Sequence, residues 1–155
     1  MNPVRRLLIL VLFLMFVLAN AGGVAAGAGQ VASGDLKTYA AGADRGYEIS
    51  GQAILLRTAD GRTLAKVQAW GLAPQTTYPV HVHNAPCAVN NGGGHYQHEV
   101  GGAVDSVNEI WPGITTNVAG HGVGHAANNF TARPEAQAIV IHDTDGARIA
   151  CADLE

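Results

Sequence analysis

Several things are scarce in this chain of 155 residues. Aromatic residues make up 6% of it and charged residues 14%. Lysine and arginine total 9 against 12 acidic residues, and no basic cluster exists beyond Arg5-Arg6, so the footprint of a nucleic-acid binder is absent. Only two cysteines are present, too few for a thiol-rich metal cluster. The chain's length suits one domain with a true core and is short for two. No apolar run reaches the ~20 residues of a comfortable transmembrane helix. The longest, Leu7 to Leu18, follows Arg5-Arg6 and precedes Ala19-Asn-Ala21, a small-x-small pattern, so residues 1–21 read as a secretory signal. No stable membrane insertion is expected once it is cleaved, and the mature charge would be near −5.

What is plentiful is glycine, 20 residues, which suits a turn-rich all-β chain better than a helical bundle. Residues 22–46 begin with small, uncharged side chains lacking periodicity and read as a flexible tether, leaving 47–155 as the β domain. Tyr47 to Arg57 and Thr63 to Trp70 are strand-like runs joined by the turn Thr58-Ala-Asp-Gly-Arg62. In the second run Ala65, Val67 and Ala69 share the face expected to be buried, with Leu64, Lys66, Gln68 and Trp70 opposite. Ile114 to Val118 with Val123 to Thr131 forms a second expected hairpin. Gln137 to Asp143 with Ala147 to Ala152 forms a third, over Thr144-Asp-Gly146. Short strands spaced by turn signals predict a sandwich or barrel.

The chemistry gathers in Tyr78 to His98, which holds four of the 7 histidines. His81 and His83 are two apart in Pro-Val-His-Val-His, so on a strand both imidazoles point one way. Gly92-Gly93-Gly94 then delivers His95, and glycine there lets the backbone fold a third imidazole back toward the first two. Downstream, Ala138-Ile-Val-Ile-His142 ends in another histidine, and Ala147-Arg-Ile-Ala-Cys151 brings an arginine and the second cysteine.

In this order, the His81-Val-His83 pair, Cys87, Gly-Gly-His95-Tyr, Ile-Val-Ile-His142 and Ala-Arg148-Ile-Ala-Cys151 resemble the copper/zinc superoxide dismutase family. The resemblance covers about two thirds of the chain, from Gln52 to Glu155. It implies a Greek-key β-sandwich or barrel, with His81, His83, His95 and His142 as metal ligands. Four neutral imidazoles form a nitrogen-only site that suits copper(II), while imidazole alone does not exclude zinc. Arg148 matches the family's arginine beside the copper, where a fixed cation attracts a small anion such as superoxide. His95 would take up and return a proton.

Two departures matter. The family's charged loop between the last histidine and the arginine is absent, since only Asp143, Thr144, Asp145, Gly146 and Ala147 separate His142 from Arg148. The zinc histidines are also not spaced as in the family: His98 follows His95 too soon, and His121 and His125 read as surface residues. The chain thus resembles the family's copper-only branch, in which a carboxylate orients the third histidine; Glu109 is the first choice, with Asp105 and Glu99 as alternatives. Export permits a disulfide, and the even cysteine count points to Cys87 with Cys151. The expected activity is an exported superoxide dismutase of the cell envelope or extracellular space. The alternative is a non-enzymatic copper-binding or copper-buffering protein, and the metal-free structural domain is a third. The sequence leaves the oligomeric state open.

Overall fold

A computed structural model describes residues 29–155, so the expected signal peptide and the first part of the tether lie outside the described residues. Ten strands and one helical turn follow in order: β1 (Gln30–Asp35), β2 (Lys37–Thr38), α1 (Ala40–Ala43), β3 (Ser50–Arg57), β4 (Thr63–Trp70), β5 (Thr77–Tyr78), β6 (Val80–His83), β7 (Ile114–Thr115), β8 (Gly122–Asn128), β9 (Ala138–His142) and β10 (Arg148–Asp153). They build one sheet in the order β1-β3-β4-β8, a second in the order β2-β10-β9-β6, and a small pair β5-β7. Every pairing is antiparallel. The expected β-sandwich is the observed architecture.

Alternation along the strands creates the core between the sheets. Ala65, Val67 and Ala69 of β4 are buried as expected, and they join Leu55 of β3 with Val80, Val82, Ile139, Ile141 and Ile149 of the other sheet in one apolar cluster. The β3–β4 and β9–β10 hairpins occur where their turn residues place them. The hairpin expected between Ile114 and Thr131 is looser: β7 pairs with β5, β8 pairs with β4, and a single bridge at Thr116 and Gly122 links the two segments.

The N-terminal stretch corrects the tether expected over 22–46. From Gln30 onward it contributes β1, β2 and α1, so the domain begins well before Tyr47. The physical reason is that β1 lies at a sheet edge and is only half buried, which leaves no apolar alternation to read. Its pairing is nonetheless tight: Ser33 and Glu155 exchange backbone hydrogen bonds of 2.9 and 3.2 Å, tying β1 to the chain just past β10. At Gly34 a Cβ would come within 1.8 Å of the Asp153 carbonyl oxygen, so this approach requires glycine.

The second sheet has a smaller apolar cluster on its outer face, made by Ala138, Val140 and Cys151 with Tyr39 and Cys87 packed on it. Cys87 and Cys151 are disulfide-bonded, with Cα atoms 5.9 Å apart. The bond clamps the segment after β6 against this face. Among the described residues no helix is long and apolar enough to cross a membrane.

Candidate metal centre

β6 positions two histidines through its own alternation. Val80 and Val82 enter the core, so His81 and His83 must point to the outer face of the second sheet. The register carries this across to β9: His81 pairs with Val140 and His83 with Ala138, which puts His142, two residues beyond Val140, on the same face and diagonal to His81.

The third imidazole arrives along the free edge of β6. Edge strands leave unpaired backbone groups, and here the chain's own loops occupy them. Tyr96 N–H donates to Val82 O at 2.8 Å, Val82 N–H to Ile110 O at 3.0 Å and Asn84 N–H to Gly94 O at 2.9 Å. Tyr96 and Ile110 are fully buried in the main core. Their chain neighbours His95 and Glu109 therefore turn the other way, toward His81 and His83. Gly92 adopts a φ of 95°, and a Cβ there would reach within 3.0 Å of Val140 and 3.3 Å of His83 Nδ1. The glycine triplet thus provides clearance as well as a turn.

The outcome is convergence. One ring nitrogen from each of His81, His83, His95 and His142 lies within 4.8 Å of all the others. His83 Nε2 and His142 Nε2 are 3.2 Å apart, and the rings of His81 and His95 have centroids 4.0 Å apart. Burial and the neighbouring imidazoles hold His81, His83 and His142 below the usual histidine range: His81 is lowered to about 4, His83 to about 3, and His142 in the same direction. For His83 and His142 the positive charge of Arg148 adds to the effect. These three imidazoles are neutral at ordinary pH, the state in which histidine ligates a metal.

Hydrogen bonds select which nitrogen each ring presents. His95 Nδ1 lies 2.7 Å from Glu109 Oε2 and donates to it, leaving Nε2 for the cluster. His142 Nδ1 donates to Gly146 O at 3.1 Å, again leaving Nε2. His81 Nδ1 and His83 Nδ1 are buried with no partner in the protein, an unusual state for a polar atom. His83 already presents Nε2 to His142, and its Nδ1 lies against the Gly92 loop; a buried, unpaired His81 Nδ1 beside a convergent all-imidazole donor set fits a metal ion, and nitrogen donors suit copper.

Glu109 is the anchor of one flank. The residue is 1% exposed, and its carboxylate accepts from three side chains: His95, Trp111 Nε1 at 2.8 Å and Gln97 Nε2 at 3.1 Å. Burial alone would push this carboxyl up, but the hydrogen bonds from Trp111, Gln97 and His95 outweigh it and hold it below the usual range. Of the carboxylates considered from sequence, Glu109 is the one on His95. Asp105 is a correction: its carboxylate accepts from the Val107 and Asn108 backbone N–H groups, and its carbonyl accepts from Glu109 N–H, so it shapes the turn that delivers Glu109. Glu99 is exposed and its carbonyl accepts from Asn108.

Arg148 lies on the opposite flank, where Nη1 donates to Asn90 O at 2.7 Å and Asn91 O at 3.2 Å. Both asparagines have positive φ, 46° and 53°, which turns their carbonyls toward the guanidinium. His98 stacks on Phe130 at 4.1 Å and His121 on Trp70 at 4.8 Å, while His125 is exposed. None of the three belongs to the cluster. Two contributors escaped the sequence reading. Gln97 could have been found as the residue two beyond His95, on the same side of the segment; Arg45, which grips the turn after His142, carried no signal.

The fold has relatives of known structure. Superoxide dismutase 5 of Candida albicans, as a glutamate-to-glutamine variant, superposes with a TM-score of 0.58 at 15% identity, over 82% of this chain and 91% of that one. The copper(II) form of the same yeast protein gives 0.57 at 15% identity, over 80% and 90%. No protein-family model and no curated protein matches the sequence. At this identity the likeness establishes the sandwich fold.

Proposed function

We propose that the chain is an exported, copper-dependent superoxide dismutase whose ligands are His81, His83, His95 and His142. The observation that carries the reading is the convergence of four imidazoles, one of them held by a buried carboxylate, on a fold shared with a superoxide dismutase. The chemistry a bound copper supplies is one-electron exchange between two superoxide anions, so that two anions and two protons become dioxygen and hydrogen peroxide.

The rest falls to the protein. Arg148, permanently charged and pinned to the Asn90 and Asn91 carbonyls, draws the anion toward the histidines. Its exposure to solvent is moderate, and no charged loop precedes it in the turn from His142. His95 Nε2 faces the cluster and is the atom that holds a proton whenever it is not engaged as a ligand. Glu109 keeps the His95 ring oriented through Nδ1. No second metal is needed for that task, which supports copper alone. Export into an oxidising compartment agrees with the apolar head of the sequence and with the Cys87–Cys151 bond.

The test is superoxide turnover by the purified, copper-loaded protein, with His83→Ala as the negative control. The variant should lose both turnover and the parent's copper(II) spin-resonance signal, and added zinc should leave the parent's turnover unchanged. A parent that binds copper tightly but turns over no superoxide would establish the copper-buffering alternative instead.

A further inference from the structure

The turn from His142 to Arg148 is short, yet it is gripped from outside. Arg45, just after α1, donates from Nη1 to Asp143 Oδ2 and from Nη2 to Asp145 Oδ2, both at 2.9 Å. The Asp143 side chain is 10% exposed, and the Tyr47 hydroxyl sits 3.3 and 3.4 Å from its two carboxylate oxygens. Within the turn Asp143 N–H donates to Ala147 O at 2.7 Å and Gly146 N–H to Asp143 O at 2.9 Å. The Gly146 carbonyl is the acceptor that fixes the His142 ring.

A planar guanidinium spanning two carboxylates sets the separation between them, which a point charge on a flexible stem cannot do. Fixing Asp143 and Asp145 against each other fixes the apex between them, and so the place of the Gly146 carbonyl. Arg148 lies two residues further on, at a bulge in the β9–β10 register.

We propose that Arg45 is a positioning residue for His142 and Arg148, bracing from the N-terminal segment the apex of the turn that joins them. The inference rests on the copper reading for what His142 binds, while the orientation of the ring is a property of the chain alone. Exposed ion pairs contribute little to stability, so a thermal shift would not distinguish bracing from decoration. The matched comparison is Arg62, also paired with an aspartate at 2.9 Å but in the β3–β4 turn.

The experiment compares the parent with Arg45→Ala, Arg45→Lys and Arg62→Ala. In the metal-free protein, nitrogen–proton correlation spectra of the imidazoles should show His142 protonated at Nδ1 in the parent and in Arg62→Ala. Arg45→Ala should show a mixture of tautomers, and Arg45→Lys should fall between. After copper loading, Arg45→Ala should alter the copper(II) spin-resonance spectrum and weaken binding about tenfold, the low end of what loss of an orienting partner costs. An unchanged His142 tautomer in Arg45→Ala would overturn the proposal. A parent that takes up no copper would overturn the functional reading, and the imidazole spectra would still decide the role of Arg45.

Discussion

The two flanks of the imidazole cluster are built on opposite principles. On one, Glu109 is almost completely buried, and Trp111, Gln97 and His95 all donate to it. On the other, Arg45 grips Asp143 just beneath the surface and Asp145 in the open, and Arg148 is held by backbone carbonyls; Arg45, Asp145 and Arg148 are each at least partly in water. Losing a buried acceptor leaves a void that half-buried donors cannot fill, whereas water can replace a partner at the surface. The first flank is thus committed to one arrangement, and the second remains accessible to a small anion. A site that must hold one histidine in orientation while admitting substrate beside another benefits from this asymmetry.

The comparison is most exposed to Glu109→Ala, which should destabilise the metal-free protein by about 3 kcal/mol, because three half-buried donors lose their common acceptor and a void opens where the carboxylate was. Denaturant titration measures it. Glu109→Gln, which keeps an acceptor oxygen, should cost less than half as much, and equal costs would show that the charge rather than the hydrogen bonds holds this flank.

Acid should attack the histidines before either flank. His81 and His83 have folded values of about 4 and 3, below the ~6.5 of an unfolded histidine, so between these limits the unfolded chain binds more protons. The stability they contribute is present above pH ~6.5 and is lost as pH falls toward 4 and 3. Denaturation midpoints of the metal-free protein should therefore drop across that window, and His83→Gln should flatten the slope. An unchanged slope would place the titration elsewhere.

On the open flank the effects should be functional rather than structural. Arg148→Ala should leave stability within about 0.5 kcal/mol of the parent but cut superoxide turnover about tenfold and weaken its salt dependence. Asp145→Asn should do least, within about 0.5 kcal/mol, since its side chain is 57% exposed. A large loss of stability in either variant would mean that the two flanks are less different than their burial suggests.

Much of this contrast was legible in the sequence only on one side. Strand alternation made His81 and His83 readable as a pair, and the core face of β4 followed from the same period. Glu109 could be singled out because Ile110 and Trp111 promised burial, although only the folded edge of β6 shows why it, and not Asp105, meets His95. Arg45 was illegible. Its partners lie 98 and 100 residues downstream, and a half-exposed edge strand followed by a single helical turn leaves no periodic trace. Pairings between distant exposed side chains are set by the assembled sandwich, not by any local pattern.

The Cys87–Cys151 bond has a consequence of another kind. It joins residues 64 positions apart, so most of the metal-site segments, from the glycine loop through β9 to Arg148, lie within one covalent ring. A ring severed once remains a single molecule. A single proteolytic nick in the exposed stretch around Val100 to Val107 would leave one covalent molecule, heavier only by the water added, in the absence of a reducing agent. Its two pieces would separate only on reduction, and until then both halves of the histidine set would stay tethered to the same sandwich.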